Sequence, residues 1–225
     1  LGSPAFWMKD PASGIDWVKI VHGEQALRVH RPIPPVGTVL GRTRIKAIVD
    51  KGRDKGALLV QERSIVDKAS GMLLATLDHV TFCRGDGGFG GGDAAPPPPP
   101  AVPEGIPDAS CDLPTLPQAA LIYRLCADPN PLHADPAVAK AAGFPRPILH
   151  GLCTYGVAGH AILRTFCAYD PSKLTGLSLR FSAPVFPGET IRTEMWNRGS
   201  TVLFRSRVVE RNVVVLNNGI ATLKV

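Results

Sequence analysis

The sequence lacks paired cysteines, a long uninterrupted apolar run and a visible signal peptide. Its five cysteines form no CxxC pair and are odd in number, which indicates a reducing compartment. The longest apolar segment, from Gly151 to Ala168, is interrupted by His160 and Arg164. It is therefore too polar to predict a membrane span, and no leader segment is recognisable at the first residues.

The sequence also lacks a stripe in which basic and aromatic residues alternate. The chain has 25 Lys and Arg against 19 Asp and Glu, a formal net charge of +6, but the basic residues are scattered. A nucleic-acid partner is therefore not expected, whereas a small phosphate-bearing ligand and simple solubility both fit the charge. With 225 residues, of which 44% are hydrophobic, the chain can bury a core as one large domain or two small ones.

A segment rich in glycine and proline divides the chain. GGFGGGDAAPPPPPAVPEG, from Gly87 to Gly105, cannot form a packed helix or strand and predicts a linker, flexible at its glycine end and stiff at its proline end. We therefore expect an N-terminal half over residues 1–93, a linker over 94–107 and a C-terminal half over 108–225. The start of the segment matches GxGxxG, but prolines follow where a dinucleotide site needs a helix, so we reject such a site.

The two halves carry different patterns. Before the linker, runs rich in β-branched residues predict an antiparallel meander over Thr38–Val49, Gly56–Val66 and Leu73–Cys83. After it, the sequence predicts two short helices, one long apolar helix and four strands, over Leu116–Cys126, Asp135–Ala142, Gly151–Ala168, Leu174–Phe181, Thr190–Trp196, Thr201–Glu210 and Val213–Val225. Because the long helix is apolar nearly all round, we expect an antiparallel sheet to curl around it.

Two short stretches recur in the same order in both halves. IVHG at 20–23 resembles ILHG at 148–151, and PPVGTV at 34–39 resembles FPGETI at 186–191. This weak similarity indicates a duplication. The first half is far shorter between these landmarks, so its central helix is expected to be reduced or absent. An empty helix position would leave a hydrophobic channel suited to a long apolar ligand.

The stretch LCADPNPLH places three polar residues, Asp128, Asn130 and His133, on one short loop with two prolines. Proline has a fixed φ and biases its predecessor away from helix, so Asp128 and Asn130 are expected to be extended or in a turn. The loop therefore presents its polar groups stiffly. Clusters of this kind are also ordinary connections between helices, and the pattern alone leaves both roles open.

The longer run YRLCADPNPLHADPAVAKAAGFPRPILHGLCTYG, Tyr123–Gly156, closely resembles the signature of the MaoC-like, R-specific enoyl-CoA hydratases, also called hydratase 2. In that family a Gly-Asp-x-Asn-Pro-Leu-His loop precedes a His-Gly pair at the start of the hot-dog helix. The resemblance extends to GEQ at 23–25, to RGDGGFGG and to PVFPGET, so it covers most of the chain. It implies the double hot-dog form, an α+β fold in which two antiparallel sheets pack as a pseudo-dimer.

The resemblance implies reversible hydration of trans-2-enoyl-CoA to (3R)-3-hydroxyacyl-CoA, with no metal and no cofactor beyond the coenzyme A of the substrate. His133 would act as the base toward water, Asp128 would bind that water and supply a proton, and Asn130 would orient the water. The backbone N–H of Gly151 would donate to the thioester oxygen. The family's glycine before the aspartate is Ala127 here, which would cost on the order of 1 kcal/mol if a positive φ is required.

Two other functions stay open: a dehydratase acting on another acyl thioester, and a non-catalytic acyl-CoA-binding hot-dog protein. Retention of Asp128 together with His133 favours the enzyme. His22 and His150 are expected to be structural. A metal site built from His133, His150, His160 and Cys153 is not expected, because the spacing matches no trusted ligand pattern.

The expected partner is an acyl-CoA thioester of medium or long chain, bound by an acyl-chain-binding first half and a catalytic second half. Neither nucleic acid nor a membrane is expected as a partner. A homodimer is expected, because exposed hot-dog sheets pair readily. The expected compartment is the cytoplasm, or the peroxisome if the chain is eukaryotic.

Overall fold

The computed structural model describes residues 6–224, which form two compact units. One unit contains the described residues up to Pro100 together with Thr175–Ser178. The other contains Ala101–Leu174 and the described residues from Leu179 onward. The division after Pro100 falls inside the proline-rich segment.

The first unit is built on a four-stranded antiparallel sheet. Its strands are β1 (Ile20–Val29), β2 (Val39–Asp50), β3 (Ala57–Asp67) and β4 (Leu73–Cys83), in the order β2-β3-β4-β1. The meander predicted from the β-branched runs is confirmed within one or two residues at each end. β1 was not predicted, because a bulge between His22 and Glu24 breaks the alternation that marks a strand in sequence.

No α-helix occurs in the described part of this unit, which confirms for these residues that a central helix is absent. Only short 3-10 turns precede β1, over Phe6–Lys9, Pro11–Ser13 and Trp17–Lys19. The connection from β1 to β2, residues 30–38, contains no helix either. A small core forms where Met8 packs with Leu59 and Cys83.

The glycine-rich stretch after β4 is bound to this sheet. Asp50 at the end of β2 accepts hydrogen bonds from the N–H groups of Gly52, Gly88 and Gly90, at 2.8, 2.7 and 2.9 Å. A Cβ added at Gly87 would lie 2.2 Å from the carbonyl oxygen of Gly52. The glycine end of the segment, which we expected to be flexible, is therefore anchored to the end of β2 at Gly88 and Gly90.

The second unit combines an antiparallel sheet with three α-helices. The strands are β5 (Ala109–Pro114), β6 (Leu174–Phe181), β7 (Thr190–Arg198), β8 (Thr201–Val208) and β9 (Val213–Leu223), and the helices are α1 (Ala119–Tyr123), α2 (Pro136–Ala141) and α3 (Gly151–Phe166). Residues Thr175–Ser178 of β6 belong to the first unit. β9, β8, β7 and β5 are neighbours in that order. The long helix and four C-terminal strands are as predicted, whereas β5 was not.

Local sequence explains where α2 begins and ends. Asp135 caps α2, since its Oδ1 accepts from the N–H of Ala137 at 2.8 Å, and Gly143 follows with φ of +88°. α3 packs against β5 and β7 and buries Ala158 and Ile162 completely. None of the helices within residues 6–224 has both the length and the hydropathy needed to cross a membrane.

Candidate active site

Asp128 and Asn130 lie between two 3-10 turns of the second unit. The first turn, Arg124–Cys126, ends at Ala127, whose φ of 68° and ψ of 33° are left-handed. This is the position where the hydratase 2 signature has glycine. Ala127 therefore has the positive φ that makes an alanine costly, because the left-handed region is less favourable for a residue with a Cβ by on the order of 1 kcal/mol. Asp128 follows directly, and the loop holds its shape despite the alanine.

Asn130 caps the second turn, Pro131–His133, which carries the histidine. Its Oδ1 accepts a hydrogen bond from the N–H of Leu132 at 3.1 Å. Its own N–H lies 3.4 Å from Oδ1 of Asp128. The amide oxygen of Asn130 thus stabilises the turn that positions His133, and its effect on a bound water stays a prediction.

The ring of His133 is fixed by a main-chain acceptor. Its Nδ1 lies 2.8 Å from the carbonyl oxygen of Ile148. Because a carbonyl oxygen only accepts, Nδ1 carries the proton and Nε2 keeps a free lone pair. Burial lowers the pKa of His133, and the bond to Ile148 opposes this only in part. The ring is therefore neutral near pH 7 and can accept a proton.

Asp128 lies close enough to share one water with this ring. A carboxylate oxygen of Asp128 and one ring nitrogen each of His133 and His150 are all within 4.8 Å of one another. A water about 2.8 Å from each of two such atoms can bond both of them. The Asp128 side chain is 43% exposed, so the position is open to solvent and ligand.

His150 links this loop to the start of α3. Its ring is 1% exposed, and its Nε2 lies 3.2 Å from the carbonyl oxygen of Asp128. The His133 ring stacks on it with centroids 3.7 Å apart. Sequence reasoning assigned His150 a structural role but could not foresee this stacking, because the two histidines are far apart in sequence and nothing local specifies their contact.

Gly151 is the first residue of α3, so its N–H has no acceptor within the helix and lies at the positive end of the helix dipole. A Cβ at this position would lie 3.2 Å from Cε1 of Phe181. Close approach of the Phe181 ring thus accounts for a glycine here, in addition to the substrate contact expected from sequence.

A metal ion fits these side chains poorly. Among residues 6–224, Asp128, His133 and His150 form the group whose ligand atoms lie close enough to share an ion; His160 and Cys153 do not join it. The two stacked rings are inclined by only 27°, so their in-plane lone pairs run nearly parallel and do not converge. Zinc needs nitrogen atoms directed at it from about 2.0–2.1 Å. The arrangement suits hydrogen bonding to a water better.

Sequence comparison places both units in known families. The profile of the MaoC like domain matches residues 100–219, and that of the MFE-2 hydratase 2 N-terminal domain matches residues 4–85. The chain belongs to the MaoC-like hydratase 2 family. It is 39% identical over 225 residues to the peroxisomal enoyl-CoA hydratase 2 of Arabidopsis thaliana, covering 96% of this chain and 72% of that protein. It is 42% identical over 207 residues to 3-hydroxyacyl-thioester dehydratase Y of Mycobacterium tuberculosis, covering 91% and 71%.

Solved structures support the same family assignment. A MaoC-like dehydratase from Phytophthora capsici superimposes with a TM-score of 0.87 at 39% identity, covering 92% of this chain and 72% of that chain. A more distant Mycobacterium tuberculosis protein, with a TM-score of 0.57 at 17% identity, covers 99% of this chain and 81% of that chain and is described as a double hot-dog fold. At that identity the likeness concerns the fold alone. The family resemblance and the double hot-dog α+β fold predicted from sequence are confirmed.

Proposed function

We propose that this protein catalyses the reversible addition of water to a trans-2-enoyl-CoA thioester, giving (3R)-3-hydroxyacyl-CoA. The observation that carries the proposal is that a carboxylate oxygen of Asp128 and a ring nitrogen of the neutral His133 lie within reach of one water. Relatives named enoyl-CoA hydratase 2 and 3-hydroxyacyl-thioester dehydratase support this reaction class.

The chemistry assigns one task to each group. His133 Nε2 accepts a proton from the water as its oxygen forms a bond to C3 of the substrate. The electron pair of the C2–C3 double bond moves toward the thioester carbonyl, whose oxygen gains negative charge. The proton that His133 takes from the water passes to the carboxylate of Asp128, and Asp128 delivers it to C2. The oxygen of the water is then on C3 and its proton on C2, and both residues are restored for the next turnover.

The developing charge on the thioester oxygen needs a hydrogen-bond donor. The N–H of Gly151 is suited to this task because it is unpaired within α3 and lies at the positive end of the helix dipole. Asn130 would contribute by holding the turn that carries His133, and its amide nitrogen could also bond the water.

The reverse reaction uses the same residues, so a dehydratase acting on another acyl thioester is the nearest alternative. A non-catalytic acyl-CoA-binding protein is the second, and the left-handed alanine at position 127 is the feature that favours it. An assay of turnover and product handedness separates the binding protein from the proposal.

The deciding experiment mixes the protein with trans-2-decenoyl-CoA and follows the loss of enoyl-thioester absorbance, with the handedness of the product determined. Turnover to the 3R product is expected, and Asp128→Asn and His133→Ala should each abolish it. Asp54→Asn and His30→Ala replace an exposed aspartate and an exposed histidine in the other unit and serve as matched controls. A parent protein without turnover in either direction contradicts the enzyme and favours the binding protein.

Substrate length, assembly and location belong to the same proposal. Because the described part of the first unit has no α-helix, we expect medium or long acyl chains, and equal or better turnover of a four-carbon substrate would contradict this. No metal or further cofactor is required, so activity should survive a chelator. The active form is a homodimer, located in the cytoplasm or, in a eukaryote, in the peroxisome. Sedimentation of the purified protein and microscopy of a tagged chain test these two statements.

A further inference from the structure

His150 is enclosed by the end of α1 and by the loop that carries Asp128 and His133. The Tyr123 ring lies on it with centroids 4.7 Å apart, and the His133 ring stacks on it at 3.7 Å. Its Nε2 faces Asp128, at 3.2 Å from the carbonyl oxygen and 4.0 Å from Oδ2. The ring therefore contacts both residues that the proposed reaction uses.

The hydrogen bonds of this ring specify its protonation. The carbonyl oxygen of Asp128 only accepts, so Nε2 of His150 carries the proton. Nδ1 is buried and has no hydrogen-bond partner among residues 6–224. A second proton would leave a buried N–H without an acceptor, which is costly. The ring is therefore neutral, and burial accordingly lowers the pKa of His150.

This neutral ring has two effects on the loop. The bond from Nε2 fixes the main chain at Asp128, from which the carboxylate projects. Stacking fixes the plane of the His133 ring, whose Nδ1 is held at the same time by the carbonyl of Ile148. A side chain held by two contacts in different directions loses the freedom to turn its Nε2 away from the water.

We propose that His150 is a positioning residue of the hydration reaction, which holds the Asp128 main chain and the His133 ring so that both side chains face one water. This inference rests on the proposed function. The titratable and charged groups that face or influence His150 are Asp128, His133, Tyr123 and Arg124. Of these, His133 is in stacked contact with the ring, which therefore adds to the burial that lowers the pKa of His133.

Two substitutions separate the two contacts. His150→Phe keeps an aromatic surface for stacking and removes the donor to Asp128, whereas His150→Gln keeps an amide donor and removes the stack. We expect kcat to fall on the order of 10²-fold in each with KM changed much less, because displacing a catalytic group by about 1 Å costs this much. We also expect the acidic limb of kcat/KM to move to higher pH in His150→Gln, because this variant uncovers the His133 ring. His160→Phe, at an exposed position of the same helix, should change none of these values.

A second readout does not depend on turnover. Nitrogen-15 signals of the histidine rings in the unliganded parent protein should show His133 protonated at Nδ1, and His150 neutral and protonated at Nε2. In His150→Gln the pKa of His133 should rise, because loss of the stacked ring uncovers it, whereas in His150→Phe the aromatic ring keeps His133 buried and its pKa should stay close to that of the parent. A His150 that is charged at neutral pH, or variants whose kcat, acidic limb and His133 signals match the parent, would overturn the inference. If the parent shows these ring states but no turnover, the proposed function fails and the arrangement of the rings stands.

Discussion

The Nδ1 atom of His133 lies 2.8 Å from the carbonyl oxygen of Ile148, so the loop that carries Asp128 and His133 is bound to the chain three residues before α3 begins. His150 binds the same loop in the other direction, from Nε2 to the carbonyl of Asp128. These two hydrogen bonds run in opposite directions and hold the loop against the start of α3. The proposed acid, base and oxyanion donor are thereby held together by main-chain acceptors.

The protonation of His133 leads to a prediction for the pH profile. Burial lowers the pKa of His133 below its ordinary value of 6.5, so the base stays unprotonated into mildly acidic solution. The acidic limb of kcat/KM should therefore fall below pH 6.5, and His133→Gln should lose activity at every pH. Steady-state kinetics across pH 5 to 8 measure this. An acidic limb of kcat/KM at or above pH 6.5, with a midpoint equal to the pKa measured from the His133 ring signals, would contradict this prediction.

The left-handed alanine predicts a stabilising substitution. Ala127 has φ of 68°, which glycine adopts without a steric cost, so Ala127→Gly should raise the free energy of unfolding by up to about 1 kcal/mol. Urea denaturation measures the change. Ala141→Gly in α2 is the matched control and should lower stability by about 0.5–1 kcal/mol, because helical φ gives glycine no advantage. An unfolding free energy that falls in both variants would mean that position 127 carries no strain.

Strands with regular alternation could be predicted from sequence, and strands that depend on their neighbours could not. β2, β3 and β4 carry β-branched residues between clear turns, and their predicted ends were accurate. β1 contains the His22/Glu24 bulge, and the short β5 is a strand because it pairs with β7. The packed glycine stretch was missed for a similar reason, since the carboxylate that binds it lies far earlier in the chain, at Asp50.

The candidate active site could likewise be predicted only where its features depend on local sequence. The polar residues of the loop, the αL requirement at Ala127 and the helix starting at Gly151 could all be anticipated from sequence spacing and family resemblance. The tautomer of His133 could not, because it depends on the carbonyl of Ile148. The close approach of the Phe181 ring to Gly151 is equally non-local, because Phe181 lies at the end of β6, far later in the chain.

The contact with Phe181 predicts the effect of a methyl group at the start of α3. Gly151→Ala places a Cβ 3.2 Å from Cε1 of Phe181, so the ring or the helix start must move and kcat should fall on the order of 10²-fold. Gly156→Ala, on the same helix with nothing within 4 Å of the added Cβ, should instead stabilise the protein by about 0.5–1 kcal/mol. Turnover and urea denaturation report the two effects. Partial recovery of kcat in Gly151→Ala/Phe181→Leu is expected, and full activity in Gly151→Ala alone would exclude a close contact.

The hydrogen bonds to Asp50 predict what happens to residues 87–93 when the charge of its carboxylate is removed. Hydrogen bonds from the N–H groups of Gly88, Gly52 and Gly90 lower the pKa of its carboxyl. The stability it contributes is present above the unfolded pKa and is lost as the pH falls through the lowered folded pKa. Asp50→Asn should therefore speed amide hydrogen exchange at Gly88 and Gly90. Asp54→Asn, an exposed aspartate in the adjacent turn, should leave exchange there unchanged. Equal rates of amide hydrogen exchange at Gly88 and Gly90 in the parent and in Asp50→Asn would contradict the conclusion that Asp50 holds this stretch.

The half-buried histidine pair of the first unit predicts acid sensitivity. His22 and His79 stack with centroids 3.9 Å apart, and burial lowers their pKa values to about 3 and about 4. Unfolded histidines bind protons near pH 6.5, so protonation favours the unfolded chain and stability should fall steadily as the pH drops from 6.5 toward 4. His79→Phe keeps a stacked ring and removes one titrating group, so its urea midpoint should depend less on pH across this window. His30→Phe replaces an exposed histidine and should keep the parent's dependence. Identical slopes for all three proteins would show that this pair does not control acid unfolding.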